Sequence, residues 1–186
     1  MVSRTTTAPA AACRDGVTIR VGARRPTYRL RSFRPLDGAL FTLDSAIEGR
    51  WPMKVGLTAL GPFRVLCTGP AEWLAIGSDS EPLEKLLPLL EIAPAPLVCI
   101  NLTDGLAHVQ LSGAAIVDSV SSLCALDLNP VAFPPDTCAR ARFAGLPVVI
   151  DRRTPDAFDC YVVSSYLSYL LACLQDTAVT PGTVHP

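Results

Sequence analysis

Between Leu97 and Gln175 the sequence never stays apolar for long. Short runs, LVCINL, LAHVQL, TCARARF, LPVVID and FDCYVV, are broken by turn signals at Thr103-Asp104-Gly105 and at Gly145. Runs of this length and punctuation read as strands. Two segments differ. AAIVDSVSSLC, opened by Ser112, repeats Ile116, Val120 and Leu123 at helical spacing, and SSYLSYLLACLQ, opened by Ser164, reads as a C-terminal helix. The order β-β-α-β-β-β-α implies an α+β fold with a largely antiparallel sheet.

The first half is less regular. Residues 1–16 read as a disordered tail, and VTIRV at 17–21 alternates like a strand. From Gly22 to Lys54 only loop and short helix are expected. FRVLCTGPAEWLAIG then places two β-like runs around Gly69-Pro70. Ser80 is expected to cap a helix with Pro82 in its first turn, shortened or kinked at Pro88. The APAP at 93–96 marks a boundary. The expected organisation is an N-terminal α+β lobe over 17–96, a C-terminal α+β lobe over 97–176, each with a largely antiparallel sheet flanked by helices, and a flexible tail over 177–186.

The chain is 49% apolar and 18% charged, which fits either a large core or apolar surface kept for a partner. Residues 1–54 carry ten basic and four acidic side chains, a net of +6, and the remainder carries −7. The basic segment suits docking on an acidic neighbour or on the chain's own body. Arg20, Arg24, Arg25, Arg29, Arg31 and Arg34 are too dispersed, with only Tyr28 and Phe33 to stack, for nucleic acid. No run approaches the roughly twenty apolar residues of a membrane helix. Seven cysteines at wide spacings, several in apolar runs, point to a reducing compartment. A soluble, cytoplasmic chain is the expectation.

Chemistry-bearing motifs are few. There is no CxxC, no GxGxxG, no GxxxxGK[ST] and no GxSxG. His108 shares a sheet face with Leu106 and Gln110, but no acid is placed beside it by sequence, so it reads as a solvated or interface histidine. Trp73 reads as a core anchor before an interface one. No catalytic, cofactor-binding or metal-ligating residue is assigned. Asp151, Arg152 and Arg153 read as a solvated cluster opening a turn at Thr154-Pro155, and replacing Asp151 is expected to matter within about ±0.5 kcal/mol.

Two segments suit contact with another chain. LDLNPVAFPPD carries three prolines that pre-set an extended backbone, from which Phe133 projects beside Leu128 and Val131. Phe133 serves there either as an interface anchor or as a plug for the chain's own core. On the C-terminal helix, Leu167, Leu170 or Leu171, and Leu174 form one stripe, and Tyr166, Tyr169 and Cys173 a second. The interface candidates are Leu128, Val131, Phe133, Tyr166 and Tyr169.

GPAEWL, the Asp104-Gly105 turn, LSGAAI, LDLNPVAFPP followed by Cys138, and DAFDCYVVSSYLSYLL form a connected series. That series closely resembles the gamma subunit of heterotetrameric sarcosine oxidase. The resemblance spans residues 69–77 and 97–176. It implies a fold similar to the folate-binding aminomethyltransferases, without their folate site or catalysis. It further implies a structural role in a flavin-dependent oxidase of sarcosine or a related N-methyl or secondary amine, with alpha, beta and delta subunits as partners. In that family the other subunits hold the cofactors: NAD and folate on the largest, FAD on beta, FMN between those two, and zinc on delta. A free-standing folate-binding, one-carbon transfer protein is the competing reading. In it Asp151 meets the folate, and Arg152 or Arg153 reaches its glutamate tail.

Overall fold

The computed structural model describes residues 12–14, 16–33, 36, 40–78, 81–91 and 97–179. Eleven strands and four α-helices fill them. In chain order the strands are β1 (Ala12–Arg14), β2 (Val17–Val21), β3 (Thr27–Ser32), β4 (Thr58–Leu60), β5 (Phe63–Gly69), β6 (Glu72–Gly77), β7 (Leu97–Asn101), β8 (Leu106–Ser112), β9 (Thr137–Phe143), β10 (Leu146–Thr154) and β11 (Ala157–Val163). The helices are α1 (Leu40–Ala46), α2 (Glu81–Glu91), α3 (Ile116–Ser121) and α4 (Leu167–Val179), the last entered through a 3-10 turn at Ser164–Tyr166.

The described strands form two sheets with antiparallel pairings throughout, so the expected α+β class is borne out. One has the order β1-β2-β8-β11-β10-β9 and the other β4-β5-β6-β3-β7. Side chains alternate across each strand, so each sheet has an outer face for helices and an inner face toward the other sheet. Ile116 and Val120 of α3 and Leu170 and Leu174 of α4 pack on the outer face of the six-stranded sheet, against Val109, Phe143, Ile150 and Phe158. Leu43 of α1 and Leu83, Leu86 and Leu90 of α2 cover the five-stranded sheet, against Leu30, Val65 and Trp73. Trp73 is buried there, edge-on to Trp51, and its indole N–H donates to the Pro52 carbonyl at 2.7 Å. Between the sheets a smaller cluster joins Leu66, Leu74 and Ile76 to Cys138 and Tyr161.

Sheet membership departs from two contiguous lobes. β2 lies in the N-terminal stretch yet pairs with β8, Ile19 opposite Leu111. β7 lies beyond the expected boundary yet pairs with β3, Leu30 opposite Cys99. The six-stranded sheet thus takes β1 and β2 from the first half, and the five-stranded sheet takes β7 from the second. Gly113 makes room for the first exchange: it sits at φ 127°, and a Cβ there would lie 1.8 Å from the Gly16 carbonyl oxygen.

Local differences have local causes. Residues 12–14, expected in the tail, turn back at Gly16 and pair with β2. TYRLRS forms β3 inside the stretch expected to be irregular. Ser112 ends β8 instead of capping a helix, and α3 starts at Ile116 with no side-chain cap. Pro88 sits within α2 without ending it, because Leu83, Leu86 and Leu90 keep one face buried. Ser80, the 93–96 boundary and residues 180–186 lie outside the described residues. No helix among the described residues is long and apolar enough to cross a membrane.

Candidate functional site

Register brings the polar residues of the six-stranded sheet into rows on its inner face. Arg20, Gln110, Asp159, Asp151 and Cys138 stand directly opposite one another across β2, β8, β11, β10 and β9. In the neighbouring row stand His108, Tyr161, Val149 and Arg140. Arg64 reaches this face from β5 of the other sheet. Its Nε donates to Asp151 Oδ2 at 2.6 Å and its Nη2 to Asp151 Oδ1 at 2.7 Å, while Nη1 meets the exposed Asp136 at 3.2 Å. Asp151 is fully buried and Arg64 is 4% exposed, so a side-on charged pair clamps the two sheets together.

Other charges complete the network. Arg153 stands 3.6 Å from both Asp151 and Asp159. His108 Nε2 lies 2.8 Å from Asp159 Oδ1, and the Gln110 amide donates to the same oxygen at 3.3 Å. The His108 ring stacks on Tyr161 with centroids 5.2 Å apart. The structure therefore corrects two expectations. Asp151 is no turn-edge charge, and His108 is neither solvated nor without an acid. Both were misread because their partners come from strands distant in sequence.

The protonation tendencies follow from burial and neighbours. Burial lowers the Arg64 pKa, but the bonds and charges of Asp151 and Asp136 outweigh it, and the net shift is upward. Burial pushes the Asp151 carboxyl up against the pull of Arg64 and Arg153. The two partners thus point in opposite senses. Geometry decides for the ion pair, because both Asp151 oxygens accept from the Arg64 guanidinium, which stays charged and favours the ionised carboxylate. Burial also works against charge on Asp159, yet His108, Arg153 and Gln110 together hold it below the usual carboxylate range.

A carboxyl depressed on folding adds stability above its unfolded pKa of about 3.9, and that stability is lost as pH falls through the lower folded value. Thermal melts of the chain are therefore expected to drop below about pH 4, and Asp159→Asn should flatten that part of the profile. An unchanged acid limb in the variant would show that Asp159 is not the group responsible.

Nothing in the network resembles a charged nucleophile. Burial, with Asp151 adding to it, pushes the Cys138 thiol up to about 12, and burial raises Cys160 further. Among the described residues no group of three His, Cys, Asp or Glu side chains is placed to hold a metal. Arg152 belongs to the opposite face. It is fully buried over Phe158, and its Nη1 donates to the carbonyls of Leu128 and Phe133 at 2.6 and 2.7 Å. The solvated cluster expected at 151–153 is replaced by two buried side chains and the half-buried Arg153. Neither Asp151 nor Arg152 is available to a folate.

The five interface candidates divide. Leu128 and Phe133 sit in the chain's own core, 3% and 5% exposed, on the side of α3 and α4. Val131 is 92% exposed, and its N–H donates to the Asn129 side chain, which shapes the turn. Tyr166 and Tyr169 are exposed where the chain enters and begins α4. Sequence reading missed Arg64 and Asp159 and placed Arg152 in solvent. The available signal was a charge inside an apolar strand run, as in FRVLC and FDCYVV, since such a charge is buried only when paired.

Two antiparallel sheets, each backed by helices and joined by a buried ion pair, define an α+β fold. The chain is similar to the glycine cleavage system aminomethyltransferase T from Bartonella henselae, with a TM-score of 0.61 at 11% identity over 90% of this chain and 48% of that one. It thus spans about half of that enzyme. A chain of the heterotetrameric sarcosine oxidase from Corynebacterium sp. U-96 matches with a TM-score of 0.78 at 23% identity, covering 92% of this chain and 90% of that chain. The family described as sarcosine oxidase, gamma subunit family matches residues 38–180, and the chain belongs to it. This bears out the resemblance carried by the motifs. A comparison with curated proteins gives no match.

Proposed function

We propose that this chain is a noncatalytic, structural subunit of a heterotetrameric flavin-dependent oxidase acting on sarcosine or a related N-methyl or secondary amine. Family membership over residues 38–180 carries the reading. The inner-face network supports it, because its charges are spent on each other and its thiols are held protonated. The alpha, beta and delta subunits are the partners, and FAD, FMN, NAD, folate and zinc reside on them. Exposed Val131, Tyr166 and Tyr169 offer apolar contact to those partners. The site of action is the cytoplasm.

Co-expression of the tagged chain with the flavoprotein subunits tests this. The expected result is a yellow complex that oxidises the amine and retains the chain through purification. The chain expressed by itself is expected to be colourless and without amine oxidase activity. A stoichiometric flavin spectrum from the chain alone would overturn the noncatalytic assignment. Absence of co-purification would overturn the subunit assignment.

A further inference from the structure

The two sheets do not cover each other completely. On the inner face of the five-stranded sheet, Leu66 of β5 and Leu74 of β6 lie against the six-stranded sheet. The same row continues outward through Arg29 of β3 to Ile100 of β7. The next row runs from Glu72 through Arg31 to Val98. Ile100 and Val98 are 45% and 47% exposed, and the outer edge of β7 pairs with no described strand. Phe33, more exposed still, lies under the Arg31 guanidinium at 5.2 Å.

Where this overhang meets the other sheet there is a trough of about 520 Å³. Its floor is apolar, with Leu74, Leu102, Leu106 and Val149, and Arg29, Arg140 and Arg142 line it as well. Two hydroxyls that line it, Thr68 Oγ1 and Tyr161 OH, are buried without a hydrogen-bond partner. Glu72, the one carboxylate on these rows, is already engaged by Arg140 and by Arg31. Four arginines therefore face this surface with a single acid among them. Buried polar groups in folded proteins find partners, and clustered cations over apolar floor favour a carboxylate-bearing occupant.

We infer that the overhanging inner face of β3 and β7, with its trough, receives a segment of a partner subunit that carries both apolar and acidic side chains. The apolar side chains fill the trough and cover Ile100 and Val98, and the carboxylates meet Arg29, Arg142 and Arg31. This inference rests on the subunit reading and adds the face and the chemistry of its contact.

The test measures association of the purified chain with its partner subunits at low and high salt. Arg29→Glu and Arg142→Glu, made separately, are each expected to weaken association roughly tenfold or more, while the lysine replacements retain most of it. Raising salt is expected to weaken the wild type and to narrow its lead over the glutamate variants. Melting of the isolated variants checks folding, and Ile100→Ser, at an exposed position, supplies an uncharged variant expected to weaken binding in the same assay. Equal binding by the folded glutamate variants overturns this inference and leaves the subunit reading standing. Failure of the wild-type chain to associate at all overturns both. Should the isolated chain bind benzoate through Arg29 and Arg142 while subunit association stays unchanged in the variants, the trough is a small-ligand pocket and the inference is wrong.

Discussion

Asp151→Ala is expected to destabilise the chain by about 3–5 kcal/mol, the scale for breaking a buried ion pair by removing one partner. The substitution strands Arg64, which is 4% exposed and whose other charged partner among the described residues is the outlying Asp136. The loss falls on the clamp between the sheets, since Arg64 comes from β5 and Asp151 from β10. Urea denaturation gives the midpoint shift. The double variant Arg64→Leu with Asp151→Leu is expected to be less damaged than either single variant, because no uncompensated charge is left buried. A single-variant loss within about 0.5 kcal/mol, ordinary for a surface site, would mean that water reaches the pair and that it clamps nothing.

Phe133→Ala is expected to cost about 3–5 kcal/mol, the range for deleting a buried aromatic ring. Phe133 packs in the cluster that α3 and α4 build on the six-stranded sheet, and its carbonyl accepts from the buried Arg152. The ring and the guanidinium thus both hold the same proline-rich loop. Melting of the isolated variant measures the effect. Association with partner subunits should decline only in proportion to the folded fraction. An unchanged melting temperature with weakened association would return Phe133 to the interface.

Much of the fold was legible because alternation and turn residues act locally. VTIRV, LAHVQL and FDCYVV alternate or run apolar, and the structure makes strands of them. The Ala144-Gly145 turn joins β9 to β10 with both residues at positive φ, 51° and 78°, as tight hairpins require. TYRLRS was lost among scattered arginines, although Tyr28 and Leu30 alternate with Arg29 and Arg31 as a strand should. The pairings that decide function were not legible. Asp151 looks the same locally whether it edges a turn or meets an arginine 87 positions earlier. Phe133 on a stiff loop reads equally well inward or outward, and only the packing of α3 and α4 settles which. Sheet membership is likewise a long-range property, so no local pattern announces that β2 and β7 change places.

That exchange has a consequence for how the protein is made. As the chain leaves the ribosome, β2 has no mate in its final sheet until β8 emerges, and β3 keeps one edge open until β7 follows. Long-range pairing of this kind is slow, and unpaired edges invite wrong partners in the meantime. A copy ending near residue 96 would leave both sheets unfinished and would lack Asp151 for Arg64. Unfinished copies thus have no completed face to present. A multi-subunit enzyme assembled on this subunit would reject incomplete translation products without any separate inspection step.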